Sequence, residues 1–272
     1  MKKPKLRIAI LTTDTLHHRY FLKRVYEETS DIAVVVLNLF ETKSYPWRRN
    51  ARRHFLGSLP NLWKGLALNP YLQPNLENRI DAYEKPHFFP DGNTAPPKEI
   101  SSHEVYSVND DDARDLLQKA EPDLILIYGT GLVKAATFSL SGRATINAHG
   151  GKIPGYRGLD TNLWAVLEGR AEDMTATLHQ VDEGLDTGPV YMARPINRAT
   201  DLSLITLRYH TAVLCTEMFI ELVAAFSKGD PKPETQDLTE SRYFGPMPWL
   251  LKRHANKMLK EWATANDRKA SR

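Results

Sequence analysis

The sequence predicts an α/β fold, an open and mostly parallel twisted sheet with helices on both faces. Three observations carry this. Short runs rich in Ile and Val are apolar along their whole length, as strands covered on both faces must be. Segments of helical spacing alternate with them, the pattern of βαβ units. A glycine-rich motif directly follows one strand, where open α/β sheets receive their ligands.

The first unit is "LRIAILTT" (Leu6 to Thr13), then "HHRYFLKRVYEE" with helical spacing at Tyr20, Phe21 and Val25, then "DIAVVVLN" (Asp31 to Asn38). The charged beginning resembles a signal peptide, but its apolar run ends after Leu11 with no small-residue cleavage site, so a first strand is expected. The pattern resumes with a strand over "EVYSVN" and a helix over "DDDARDLLQKAEP", whose acidic start suits a helix N-terminus. "DLILIYGT" reads as a fully buried strand, and "RATINAHGG" as a short strand that ends at Asn147 and His149. A further strand is expected over Val190 to Arg194, and a helix from Thr200 to Lys228 capped by Thr200 or Asp201, with Leu204, Leu207, Leu214, Leu222 and Phe226 on its apolar side.

The organisation expected is a main catalytic domain over 1–230, interrupted at about 42–100, and a short helical tail over 231–272. Thr42 to Leu76 contains no acid, six Lys or Arg, and the aromatics Tyr45, Trp47, Phe55, Trp63 and Tyr71. Two readings of it stand: a solvated helix docked by its aromatics, or a face for a phosphate-bearing partner or, peripherally, an anionic membrane.

Composition narrows the class. With 25% charged and 42% apolar residues the 272-residue chain is globular rather than disordered. The excess of 36 Lys and Arg over 33 Asp and Glu is too slight to imply nucleic-acid binding. Cys215 is the single cysteine, which excludes an internal disulfide and a thiolate metal cluster and fits a reducing, cytoplasmic setting. No run of 18 uninterrupted apolar residues occurs, so no transmembrane helix is expected.

Chemistry concentrates in "INAHGGKIPGYRG", Ile146 to Gly158. Asn147 and His149 are two apart, so in extended backbone their side chains leave on the same side and can converge on one small group. An amide donates to a carbonyl oxygen while an imidazole exchanges a proton with a nitrogen, which describes acyl transfer to an amine. No Ser, Thr or Cys stands where a covalent nucleophile would be needed, and no HExxH pair or second His has metal-ligand spacing in the motif, so no metal is expected. Downstream, "HQVDEGLDTGPVYM" places Asp182, Glu183 and Asp186 in an acidic turn. A carboxylate brought near His149 would orient the ring and raise its pKa; alternatively the segment is an acidic surface turn.

"NAHGGKIPGYRG", "LWAVLEG" and "TLHQVDEGLDTGPV", in that order and spacing, resemble the 10-formyltetrahydrofolate-dependent formyltransferases, over roughly Leu6 to Lys228. The resemblance implies a Rossmann-like fold and formyl transfer from 10-formyltetrahydrofolate, the formyl donor, to an amine. It implies that Asn147 polarises the formyl oxygen, that His149 transfers the proton and that Asp186 completes a triad. Leu132 and Val133, with the Asp182, Glu183, Gly184 and Leu185 turn, would wall the pterin. The chain departs from the family at Gly151-Lys152-Ile153-Pro154, where Ser-Leu-Leu-Pro is common, and at Thr175-Ala176-Thr177. The first departure sets Lys152 beside the site, and Lys152 and Arg157 become candidates for contacts with acceptor phosphate or hydroxyls; His179 reads as structural. About 40 residues after the long helix are too few for the barrel that a transfer-RNA enzyme adds, so a small-molecule amine is expected, an amino-sugar nucleotide first. Glycinamide ribonucleotide, methionyl-tRNA, or a non-catalytic folate- or nucleotide-binding module of this fold are the alternatives.

Overall fold

The computed structural model describes residues 6–29, 32–39 and 75–265. Seven strands form one sheet in the order β3-β2-β1-β4-β5-β7-β8. These are β1 (Ile8–Thr12), β2 (Ile32–Asn38), β3 (Ser102–Val105), β4 (Leu124–Tyr128), β5 (Ala144–His149), β7 (Thr175–Gln180) and β8 (Val190–Pro195). The first five are parallel; β7 runs antiparallel to β5, and β8 antiparallel to β7. The mostly parallel α/β architecture expected from the apolar runs is the one observed.

Alternation along the strands divides the core. Ile8 and Ile10 face α1 (Leu16–Thr29) and α6 (Leu207–Lys228), meeting Phe21, Val25, Met218 and Phe219. Ala9 and Leu11 face the other way, with Val36, Ile127 and the Ala113 and Leu117 of α3 (Asp111–Ala120). The successive residues Ile8 to Leu11 of β1 and Leu124 to Ile127 of β4 are therefore all apolar, as a sheet covered on both faces requires. The helix α6 is long and apolar enough to cross a membrane, but Cys215, Met218, Phe219, Leu222 and Phe226 are buried in the sheet's core.

Two boundaries differ from expectation. The helix assigned from Thr200 begins at Leu207. Residues 200–206 instead form a turn in which Thr206 Oγ1 accepts from the Ser203 amide at 2.9 Å and donates to the Asp201 carbonyl at 2.8 Å. The Asp201 carboxylate accepts from Tyr83 Oη at 2.6 Å and lies 3.1 Å from His210 Nε2, so it is engaged away from any cap. The segment expected as a helical tail does contain α7 (Trp249–Thr264), whose Ala255, Leu259 and Ala263 are buried with Leu163 and Val166 of α5 (Thr161–Leu167). It also supplies β9 (Tyr243–Phe244), which pairs in parallel with β6 (Arg157–Gly158). The basic aromatic segment 42–76 lies outside the described residues except for its last two, Asn75 and Leu76, where α2 (Leu76–Phe88) begins.

At the carboxyl ends of β1 and β4 two histidines are buried together. His17 and His18 have ring centroids 3.9 Å apart, and His18 meets Tyr128 edge-on at 5.0 Å. Thr13 Oγ1 lies 2.6 Å from His18 Nδ1. Burial and the nearby Arg208 charge push His18 down to about 3, and burial with the His18 neighbour lowers His17 well below its ordinary value. Arg208 itself donates to Glu84 through Nε at 2.7 Å, to Asp81 at 2.9 Å and to Glu77 at 2.7 Å, joining α6 to α2.

Both histidines are therefore neutral when folded and titrate near 6.5 when unfolded, so below that pH the unfolded chain binds more protons and stability falls. Each such group costs about 1.4 kcal/mol per pH unit until its folded pKa is reached. Burial raises the Glu84 pKa, an effect of opposite sign to that of the two histidines. The urea midpoint is expected to fall steadily from pH 7 to pH 5, and an unchanged midpoint over that range would contradict neutral burial of the pair.

Candidate active site

β5 delivers Asn147 and His149 to the carboxyl edge of the sheet, and its pairing with β7 sets Asn147 opposite His179 and His149 opposite Thr177. The two side chains of the motif do not open on the same space. Asn147 lines a cleft; His149 is buried behind it, with Nε2 donating to the Tyr156 carbonyl at 2.8 Å. That donation leaves Nδ1 of the neutral ring bare, 3.5 Å from Asp186 Oδ2.

The loop after β5 is shaped around this ring. Thr161 Oγ1 donates to the Gly150 carbonyl, and Thr177 Oγ1 to the Gly151 carbonyl at 2.7 Å. A Cβ on Gly151 would stand 2.6 Å from both His149 Nε2 and Thr161 Oγ1. The departure from Ser at this position thus has a local reason: the imidazole occupies the space.

Asp186 joins the two imidazoles. Its residue adopts φ 53, in the left-handed region, and its Oδ2 accepts from the Gly158 amide at 2.9 Å. Oδ1 lies 3.5 Å from His179 Nε2. Burial pushes this carboxyl up, but the His179 contact, the His149 charge and the Gly158 amide outweigh it and hold the pKa at about 2. His179 Nδ1 donates to the Gln180 carbonyl at 2.8 Å, so its Nε2 is the acceptor for the Asn147 amide, 3.1 Å away. The Asn147 carboxamide is thereby oriented with nitrogen toward His179.

The sequence-based expectation for His149 is overturned in sign. Burial lowers its pKa and outweighs Asp186 and the Tyr156 carbonyl, which raise it; His179 lowers it further. Distance from solvent, rather than the neighbouring carboxylate, decides the ring's state.

The cleft beside these groups is walled on one side by Gly131, Leu132 and Val133 and on the other by Val181, Asp182, Gly184, Leu185 and Asp186, with Asn147, His179 and Ile127 at its base. Leu132 and Leu185 are exposed at the rim. Of the residues carried over as pterin contacts, Glu183 alone does not line it. Lys152 and Arg157 do not line it either: Lys152 Nζ donates to Asp173 Oδ1 at 2.6 Å, and Arg157 Nη1 to the Leu185 carbonyl at 2.7 Å. His179, set aside as structural, lines the cleft. Its signal was a strand-to-strand register, visible only once β7 is known to run antiparallel to β5.

A mostly parallel sheet with a cleft beside its carboxyl edge, floored by an amide and an imidazole and flanked by a buried carboxylate, is the α/β class of ligand site. The model of the formyl transferase family matches residues 91–223 of this chain. Methionyl-tRNA formyltransferase of Desulfotalea psychrophila is 30% identical over 152 residues, 53% of this chain and 47% of that protein. The enzyme of the same name from Kosmotoga olearia is 29% identical over 138 residues, 50% of this chain and 44% of that one. The chain thus spans about half the length of the curated relatives it matches. Among solved structures, a 4-N formyltransferase from Francisella tularensis superposes with a TM-score of 0.55 at 14% identity, covering 89% of this chain and 77% of that one. A sugar N-formyltransferase from Shewanella sp FDAARGOS_354 gives 0.54 at 8% identity, over 88% and 76%. These two likenesses are of fold.

Because the imidazole fills the space at residue 151, Gly151→Ser is expected to displace it and to lower stability by about 1–3 kcal/mol. Urea denaturation of the variant checks this; a wild-type midpoint would mean the ring moves aside freely.

Proposed function

We propose that the chain transfers a formyl group from 10-formyltetrahydrofolate to the primary amine of a small molecule, with a nucleotide-linked amino sugar as the acceptor class. The observation that carries this reading is the opening of Asn147, His179 and Asp186 onto one cleft whose two rims, at Leu132 and Leu185, are apolar. An apolar slot with a few convergent polar groups suits a flat heterocycle whose reactive carbon sits at the polar end. The single cysteine suits a reducing, cytoplasmic setting.

As the amine nitrogen bonds to the formyl carbon, the carbonyl oxygen gains charge and the nitrogen becomes acidic. One hydrogen of the Asn147 amide is held by His179, and the second remains to meet that oxygen. His149, kept neutral by burial, is in the form that accepts a proton, and Asp186, which lines the cleft 3.5 Å from its Nδ1, is the group that links the ring to the amine and stabilises the imidazolium that results. Collapse breaks the bond from the carbon to N10 of the folate, and the proton passes to that leaving nitrogen. No covalent enzyme intermediate is required.

Lys152 and Arg157, the cations expected to meet an acceptor phosphate, are each engaged within the chain, so the acceptor reading rests on the fold neighbours and not on these two. The second reading, methionyl-tRNA as acceptor, is favoured by the names of the relatives.

Two measurements test the proposal. Asn147→Ala, His149→Ala and Asp186→Ala are each expected to lower turnover about a hundredfold or more while the folate still binds; near-normal turnover by a folded His149→Ala protein would end the catalytic assignment. In a panel of acceptors, an amino-sugar nucleotide is expected to be formylated faster than glycinamide ribonucleotide or methionyl-tRNA, and the reverse order would transfer the acceptor to the faster one.

A further inference from the structure

The Asp186 carboxylate is aimed by contacts that come from outside the cleft. The loop that carries it, 182–188, has three of its carbonyls held by two side chains from elsewhere. Arg157 donates through Nη1 to the Leu185 carbonyl at 2.7 Å. Gln236 Nε2 donates to the Gly188 carbonyl at 2.6 Å and to the Asp186 carbonyl at 3.2 Å. The amide's two hydrogens thus go to two carbonyls on either side of Thr187.

Gln236 is itself fixed in register. Val190 and Glu234 exchange amide-to-carbonyl bonds at 2.7 and 2.8 Å, which lays residues 234–236 alongside 188–190. Eight residues further on, β9 holds the strand that carries the other contacts: the Arg157 amide donates to the Arg242 carbonyl at 3.0 Å and the Leu159 amide to the Phe244 carbonyl at 2.9 Å. Between them, Gly158 gives its own amide to the Asp186 carboxylate. One stretch of chain therefore grips Asp186 twice, through Gln236 on its backbone and through β6 on its carboxylate. That stretch lies beyond residue 223, where the match to the family ends.

Two polar atoms mark the strain of this arrangement. Arg157 Nε and Gln236 Oε1 are buried with no hydrogen-bond partner, although Arg157 Nη1 and Gln236 Nε2 on the same side chains are engaged. A buried unpaired polar atom costs free energy and is retained where the geometry it permits is needed. Here the geometry held is a non-glycine residue at φ 53.

We infer that Gln236 and Arg157 are positioning residues, which hold the 185–188 backbone from outside the cleft and so aim the Asp186 carboxylate at His149 and His179. This rests on the reading of Asp186 as part of the site. Residues 234–244 are then part of the active site's construction and not an appendage. Neither side chain touches the reacting atoms; both act through Asp186 and the Leu185 wall.

The test uses the full chain with histidine side chains labelled for NMR, and 5-formyltetrahydrofolate as a stable probe of the cleft. Gln236→Met keeps the length of the side chain and removes both donors. The His149 titration midpoint is expected to move further down, because Asp186 is, with the Tyr156 carbonyl, one of the two groups that raise it, and binding of the probe is expected to weaken about tenfold as the Leu185 wall loosens. In an Asp186→Asn background, where that support is already gone, adding Gln236→Met should move the midpoint no further. A midpoint unmoved by Gln236→Met, or moved equally in both backgrounds, would overturn the inference. Arg157→Met gives the same readout if Gln236→Met does not fold. Failure of the wild-type protein to bind the probe would refute the folate reading alone, since the titration arm still decides whether Asp186 is braced.

Discussion

Pairing of β7 antiparallel to β5 sets Asn147 opposite His179, and the arrangement of the cleft follows from that register. Because β7 runs back along β5, from Thr177 opposite His149 to Gln180 opposite Ile146, His179 is brought to Asn147 and the chain passes through Val181 into the 182–188 loop. The two walls of the cleft, the 131–133 segment after β4 and the 182–186 segment after β7, therefore flank β5. A one-residue slip would turn His179 to the opposite face and leave the Asn147 amide without its acceptor.

Within that frame the electrostatics turn on one buried anion. Asp186 has a side chain only 9% exposed, yet its pKa is held at about 2, with the Gly158 amide donating to Oδ2 and His179 and His149 each 3.5 Å from an oxygen. A buried charge is tolerated only when its neighbours supply what water did. The imidazoles respond differently: His149 gives its Nε2 hydrogen to Tyr156, while His179 gives its Nδ1 hydrogen to Gln180. Each therefore turns its other ring nitrogen toward the carboxylate, and a proton gained by His149 would be stabilised by that anion.

How much of this was legible in the sequence depends on range. The strands β1, β2 and β4 were readable because continuous apolarity is a local property, and the Asn147–His149 spacing was readable because it lies within one strand. The direction of β7 was not, since "TATLHQ" carries no mark of whether its neighbour runs with it or against it. Without that direction His179 had no visible partner. The lowered pKa of His149 escaped for a related reason: Asp186 stood out as a charge in the sequence, whereas burial is a sum over Tyr156, Gly151, Thr161 and other neighbours that only the fold assembles. Lys152 looked free because its partner, Asp173, lies 21 residues away. The start of α6 was misplaced since Thr200 and Asp201 have capping chemistry, but their side chains and carbonyls are taken up by a turn.

The two ends of the sheet are finished differently from its middle. β3 is four residues long, and its Ser102, His103 and Glu104 are exposed and polar, with Ser101 Oγ 2.9 Å from His103 Nε2. At the other end β8 is bridged at Val190 by Glu234 and closes on Pro195. An unfinished strand edge is a template on which another molecule can add a strand of its own. Shortness and polarity at one border, and a bridge with a proline at the other, give such a strand little length to follow, so the seven-stranded sheet resists growth into intermolecular β-structure even though its interior strands are among the most apolar segments of the chain.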